Sequence, residues 1–425
     1  MIVYPSRFLV WWGVLLFCLK LGSRRNLDFQ LRDLELWVLD NLNRLADTAQ
    51  ESLPVHKTLD PFLGQVGSAA LADLRTRCVR RLLRNKVLDG FRFDGELVVA
   101  ADGTGFLSFG QRHCAQCLEH RHGTGVCYLH PILEAKIVHP AGLALSIGTE
   151  FIENPVPAPT SRRPTLTDYE TVKQDCELNA FLRLAAQLKK AFPQTRFCLA
   201  ADSLLACGPV LTVCEQNRWS YVLTFKPGRT PALWADFQGL LPLCPENRLT
   251  RLLPDRQTRQ TFRWVNDLAY TDTEDRPHTV GALLCEETCA GETLTYAWLT
   301  NKRLSADNVS AVATYGGRVR FKIENQGFHL QKNSGLNLEH AYSTGPDTMK
   351  SFYDLLQIAH LFLQMLEMGS LLRHLARRYE STPVGLFGSL KNLAQRLLEC
   401  FRYFRLESEV FTEVGGFQIR RLDSS

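Results

Sequence analysis

Three short, unbroken apolar runs set the frame of this chain. LVVAAD ends at Asp102, RFCLAAD ends at Asp202, and WSYVLTF covers 219–225. Apolar runs of this length read as strands buried on both faces. Further strands are predicted at about 128–138 and 143–149, with the first at 96–102. Elsewhere the period becomes helical. KQDCELNAFLRLAAQLKKAF, at 173–192, places Leu178, Phe181, Leu182, Ala185, Leu188 and Phe192 along one stripe, and a second helix follows at about 208–217. From 96 to 225 the order is strand, strand, strand, helix, strand, helix, strand. That order predicts an α/β fold with a mixed central sheet and helices packed on it.

Both ends of the chain read as helical. Residues 1–92 form an N-terminal helical region and 346–425 a C-terminal one; between them, 93–225 and 296–345 form a core divided by 226–295. The dividing segment alternates apolar and polar positions, as in TRQTFRWVNDLAY at 258–270, and is predicted to be a mostly β insertion. PVPAPTSRRPT at 155–165 reads as a linker or surface loop. Ser305 is an expected N-cap for a helix over 306–314, with Gly316 and Gly317 interrupting before a Glu324 helix. The charge-free run at 8–19, FLVWWGVLLFCL, is too short to span a bilayer and predicts a buried helix, with a targeting segment as the alternative. The abrupt start leaves room for a longer N-terminus.

Net charge is +5, from 49 basic and 44 acidic side chains, so the distribution of charge matters more than its sum. Thirteen cysteines over 425 residues are an odd, scattered set that argues against a disulfide framework and for reduced thiols in a cytoplasmic protein. Charge clusters in two places. The segment 71–86 carries Arg75, Arg77, Arg80, Arg81, Arg84 and Lys86 beside an apolar stripe. It reads either as a solvated helix face or as a phosphate-contacting one. The segment 318–332 sets Glu324 among Arg318, Arg320, Lys322 and Lys332.

An acid at the C-terminal end of a buried strand points into a cleft rather than a core. A single one is ordinarily a turn former or a helix cap. Two on similar strands, Asp102 and Asp202, with Glu324 later in a basic, amide-rich patch, suggest a three-carboxylate site for a divalent cation.

Five blocks carry a family resemblance. They are AADGT at 100–104, KQDCELNAFLRL at 173–184, LAADSLLACGPVL at 199–211, YAWLTN at 296–301, and IENQGFHLQKNSGLNLEHAYS at 323–343. In this order the chain resembles the DDE transposases of bacterial insertion sequences. The resemblance implies an RNase H-like mixed five-stranded sheet with flanking helices. It also implies metal-dependent DNA cleavage and strand transfer, with Asp102, Asp202 and Glu324 holding two Mg2+ or Mn2+ ions. The expected partners are transposon-end and target DNA and a second copy of the chain in a synaptic dimer, without a membrane. The expected location is cytoplasmic, at the nucleoid. Arg320 stands four residues before Glu324, as in the family; Tyr315 and Lys332 are displaced from their usual offsets. Arg318, Arg320, Lys322 and Lys332 are expected phosphate contacts, joined by Arg75, Arg81 and Arg84. A nuclease on the same fold without end specificity, and an inactive DNA-binding derivative, remain open beside this reading.

HCAQCLEHRHGTGVCYLH at 113–130 adds a second candidate chemistry. Tetrahedral zinc takes four Cys or His ligands, often beginning with C-x2-C. Cys114, Cys117, Cys127 and His130 are the candidate set, with His113, His120 and His122 nearby; the alternative is a thiol- and imidazole-rich loop near the DNA. Trp234 and Trp264 are expected either in the core or stacked on an unpaired base.

Overall fold

The computed structural model describes residues 4–32, 37–122, 125–155, 175–255, 257–369, 372 and 376–406. The expected loop at 155–165 lies almost wholly outside them. The chain divides into two compact units: 1–90, 106–108 and 327–425 form one, and 91–105 with 109–326 form the other.

The first unit is helical. Its N-terminal part holds α1 (Ser6–Cys18), α2 (Arg24–Leu31), α3 (Val38–Ala46), α4 (Leu59–Val66) and α5 (Ser68–Arg84). The run at 8–19 forms α1 and is buried on most sides, including Phe8, Trp12, Leu16 and Phe17. Among the described residues no helix is long and apolar enough to cross a membrane. Ser23 caps α2 by accepting from the Asn26 amide at 3.1 Å.

The second unit is built on a large mixed sheet. Its strands are β1 (Arg92–Phe93), β2 (Glu96–Phe109), β3 (Leu118–His122), β4 (Gly125–Val138), β5 (Ala144–Phe151), β6 (Phe197–Ala201), β7 (Ser220–Thr224), β8 (Arg248–Leu252), β9 (Arg259–Thr271), β10 (Pro277–Cys289) and β11 (Glu292–Thr300). The helices are α6 (Glu177–Ala191), α7 (Gly208–Asn217) and α8 (Pro231–Leu240). The sheet runs β3-β4-β2-β6-β7-β11-β10-β9-β8, with β1 on β2 and β5 on β4. β6 is parallel to both β2 and β7, whereas β11 is antiparallel to β7. Residues 97–101, 197–201 and 220–223 are all buried, which accounts for their unbroken apolar character.

Three sequence expectations shift. The first strand does not stop at Asp102 but continues to Phe109. Segment 226–295 contributes α8 and three strands, and these extend the central sheet instead of standing apart from it. The buried stripe of α6 centres on Ala180, Phe181, Leu184, Ala185 and Leu188, leaving Leu178 and Leu182 half-buried. Gly148 on β5 explains the rotation, because a Cβ there would lie 2.9 Å from Leu184 and 3.0 Å from Leu188. α6 thus settles closely over a gap in the strand.

The first unit resumes with α9 (Pro346–Met368) and ends with α10 (Leu390–Tyr403) among its longer helices. α9 is buried around most of its circumference from Thr348 to Leu361, the mark of a central helix. Gly13 lets α1 approach it, since a Cβ there would meet Leu355 Cδ1 at 2.7 Å. The polar residues inside α9 have partners: Asp354 accepts from Ser68 at 2.6 Å, and Gln331 donates to Gln357 at 2.9 Å.

Candidate functional site

The parallel pairing of β2 with β6 fixes two of the expected acids. Register runs from Leu97↔Phe197 to Ala101↔Ala201. Asp102 and Asp202 are each the next residue, so they lie level on adjacent strands about 4.8 Å apart. Beyond that point β6 ends and β2 continues. The Asp202 carboxylate turns to accept from the Leu204 amide at 2.9 Å, capping a 3-10 turn at Ser203–Leu205. Asp202 therefore has the cap role foreseen for a lone acid, in addition to its place beside Asp102.

The third acid arrives on a helical segment at 309–333. Gly316 and Gly317 do not interrupt it; the segment passes through them with π and 3-10 turns. Their absent side chains serve packing. A Cβ on Gly316 would lie 2.5 Å from Val222 on β7, and one on Gly317 would lie 2.4 Å from Trp298 on β11. The segment is thus pressed onto the sheet just before Glu324. Arg320 Nη1 bridges Glu324 Oε1 at 2.8 Å and Asp102 Oδ2 at 3.0 Å. The guanidinium links and neutralises the two carboxylates.

A fourth acid completes the site. Glu177 opens α6, and its carboxylate overlies Gly103, where a Cβ would be 2.3 Å from Glu177 Oε1. Burial raises the Glu177 carboxyl above its usual range, and the charge of Asp202 adds to the rise. Burial likewise pushes Asp102 up to about 7; Arg320 opposes this, while Glu324, Asp202 and Glu177 reinforce it. Arg320 pairs with two of these carboxyl groups, Asp102 and Glu324, and the charges of Glu324, Asp202 and Glu177 all disfavour ionised Asp102. All the donors are oxygens, which fit hard divalent cations such as Mg2+ or Mn2+. Glu177 carried a signal in the sequence, as the acid heading an amphipathic helix inside the KQDCEL block. Nothing in one dimension, however, indicates that Gly103 leaves room for it.

The expected phosphate contacts separate into two groups. Arg75 is 2% exposed and pairs with Asp354 at 3.5 Å, so it is an internal ion pair of the first unit and not a DNA contact. Arg318 is also engaged: it pairs with Glu287 at 2.9 Å and lies 4.2 Å over the Tyr296 ring. Arg81 and Arg84 are exposed at the end of α5. Lys322 is half-buried beside Glu324 in sequence, and Lys332 pairs with the exposed Glu339 at 2.8 Å. Tyr315 stacks on Phe93 with ring centroids 5.6 Å apart. Trp264 is 3% exposed and belongs to the core, which removes it as a base-stacking platform. Trp234 is half-buried, edge-on to Phe225 at 4.8 Å.

The cysteine- and histidine-rich stretch is partly strand, since β3 and the start of β4 form a hairpin inside it. His113, Cys114, Cys117 and His130 converge, with one donor atom from each lying within 4.8 Å of all the others. Cys127, expected in this set, is turned away, and its thiol donates to the His120 carbonyl at 3.5 Å. The reason is strand alternation: Cys127 and His130 are three apart on β4 and so point to opposite faces. Among the described residues this is the one group of three or more such donors drawn that tightly together. The carboxylates of Asp102 and Glu324, by contrast, meet through Arg320.

In comparison with known proteins, no family model matches the chain and no curated protein matches it significantly.

Proposed function

We propose that the chain is a metal-dependent DNA transposase of the DDE type, with an RNase H-like core formed by β5, β4, β2, β6 and β7 and the helices on them. The observation that carries this reading is the register Ala101↔Ala201, which sets Asp102 and Asp202 side by side while Arg320 draws Glu324 to the same place. Asp202 and Glu177 add carboxyl groups beside Asp102 that Arg320 does not pair, and unneutralised carboxylates in a half-buried cleft cost free energy. Such an arrangement is consistent with a site that awaits cations.

The proposed reaction is attack on a DNA phosphodiester, first by water to free a 3′-hydroxyl and then by that hydroxyl on another strand. Two divalent ions, when bound, would hold the attacking and leaving oxygens and neutralise the developing charge. Asp102, Asp202 and Glu324 would be the residues that hold these ions. Glu177 stands close enough to Asp102 and Asp202 to orient a ligand or a water. Arg320 holds the Asp102 and Glu324 carboxylates together, and with ions bound its guanidinium would be available to a phosphate oxygen. Lys322, Lys332, Arg81 and Arg84 are the remaining candidates for positioning the DNA backbone, a task that needs charge but reads no sequence. Joining two ends calls for two active sites, hence a homodimer on DNA.

The test uses DNA from the two flanks of the gene, searched for short inverted repeats, with Mg2+. Cleavage and joining should occur with the wild type and vanish in Asp102→Ala, Asp202→Ala and Glu324→Ala, while DNA binding persists. Activity retained in all three variants would end the proposal. Equal cutting of random duplex would make the chain a nuclease without end specificity.

A further inference from the structure

We propose that His113, Cys114, Cys117 and His130 form a structural zinc site, separate from the carboxylates. The geometry carries the argument. A tetrahedral ion with Zn–S near 2.3 Å and Zn–N near 2.0–2.1 Å has ligand edges of about 3.8 Å between two sulfurs and about 3.6 Å between sulfur and nitrogen. Here Cys114 Sγ and Cys117 Sγ are 3.5 Å apart, and His130 Nε2 is 3.5 Å from the first and 3.2 Å from the second. Three edges of the tetrahedron are thus in place to within about 0.4 Å of that ideal.

The fourth ligand is supplied by His113. Its Nδ1 is buried and has no hydrogen-bond partner, which is costly for a polar atom unless something binds it. The ring is held by stacking on Phe109, with centroids 4.4 Å apart. Cys117 is fully buried and His130 is 1% exposed, so half of the set is shielded from solvent. An acid also stands on the outer side of the site, beyond direct hydrogen-bond distance. Glu153 Oε1 lies 3.8 Å from His130 Nδ1, on the side of the ring away from the sulfurs, where a carboxylate commonly orients a metal-bound imidazole. Asn154 donates to the Cys117 carbonyl at 2.9 Å and ties the knuckle to the chain after β5.

Two thiolates and two imidazoles suit a borderline-soft ion and not Mg2+. The site is closed, with four protein ligands and no position for substrate. It also stands near Phe109, the last residue of β2, seven residues and roughly 23 Å along the strand from Asp102. Its proposed task is to pin the hairpin of β3 and β4 to the far end of the strand that bears Asp102.

Metal analysis of the full-length protein, purified without chelator or affinity metal, tests this. One zinc per chain is expected, retained in Cys127→Ser and in Asp102→Asn, and lost in His113→Ala and Cys117→Ser. Replacement by Co2+ in the wild type should give the visible bands of a tetrahedral ion with sulfur-to-cobalt charge transfer, a readout that does not rely on any variant folding. Zinc loss in Cys127→Ser with retention in His113→Ala would overturn the assignment. So would a metal-free protein in which Cys114 and Cys117 are joined as a disulfide.

Discussion

Replacing Asp102 by Asn should make the metal-free protein more stable at pH 8 and, under the proposed function, abolish strand transfer. Burial, with Glu324, Asp202 and Glu177 around it, pushes the Asp102 carboxyl from 3.8 up to about 7. At 1.36 kcal/mol per pKa step, holding it ionised in the folded chain costs about 4 kcal/mol, which is the ceiling on the gain. Arg320 loses an ionic partner in the variant and the new amide is buried, so roughly half of that, about 2 kcal/mol, should survive. For a unit of this size that is an upward shift of roughly 4–8 °C in Tm. The sign with pH follows from linkage. A carboxyl whose pKa is raised by folding keeps its proton in the folded state after the unfolded chain has lost it. Wild-type stability therefore falls as pH climbs from the ordinary carboxylate range to about 7, then levels. At pH 4.5 the penalty removed by Asn is only about a quarter of that at pH 8. Thermal unfolding without divalent ions, at both pH values, measures the two gains. Saturating Mg2+ should then raise the wild type and leave the variant unmoved. A variant less stable than wild type at pH 8, or an equal gain at both pH values, would refute the reasoning.

Under the proposed function the same carboxyl would govern cation binding. Mg2+ or Mn2+ affinity should rise by up to about tenfold per pH step below pH 7 and flatten above it, with proton release detectable by calorimetry in buffers of different ionisation heat. Gly317→Ala should cost about 1–3 kcal/mol through overpacking against Trp298 and should weaken divalent binding as Glu324 is lifted away; denaturant unfolding and a Mn2+ titration report the two effects. Glu96 is 2% exposed, accepts from Ser220 and shares Lys302 with Asp94, each carboxylate at 2.8 Å, so Glu96→Leu should cost about 1–3 kcal/mol by leaving the Ser220 hydroxyl without its acceptor while Asp94 keeps the lysine paired, read from the urea midpoint. Gly103→Ala should displace the Glu177 carboxylate and lower the pH at which cation affinity levels off.

Strand composition was legible from sequence because it depends on burial alone. LVVAA, FCLAA and SYVL are buried on both faces, and the unbroken apolar pattern announces this. Asp102 and Asp202 could be singled out as acids following such runs. Their alignment could not, because it depends on the register of two strands some hundred residues apart. Arg75 and Arg318 misled for a related reason: a buried arginine with a distant partner looks identical, in one dimension, to one that faces solvent. The sequence places Cys127 in the zinc set and His113 only nearby, whereas alternation on β4 and stacking on Phe109 select the opposite. The two glycines at 316 and 317 read as a break, but their neighbours Val222 and Trp298 are what call for them.

Crystals soaked in Mn2+ offer the most direct measurement of the central claim. Anomalous scattering should reveal two manganese ions about 3.5–4 Å apart. Asp102 should lie between them, Asp202 and Glu324 on either side, and Arg320 should have turned from its present bridge. Manganese bound elsewhere, or an Arg320 bridge that stays closed at saturating metal with no ion beside Asp102, would contradict the account.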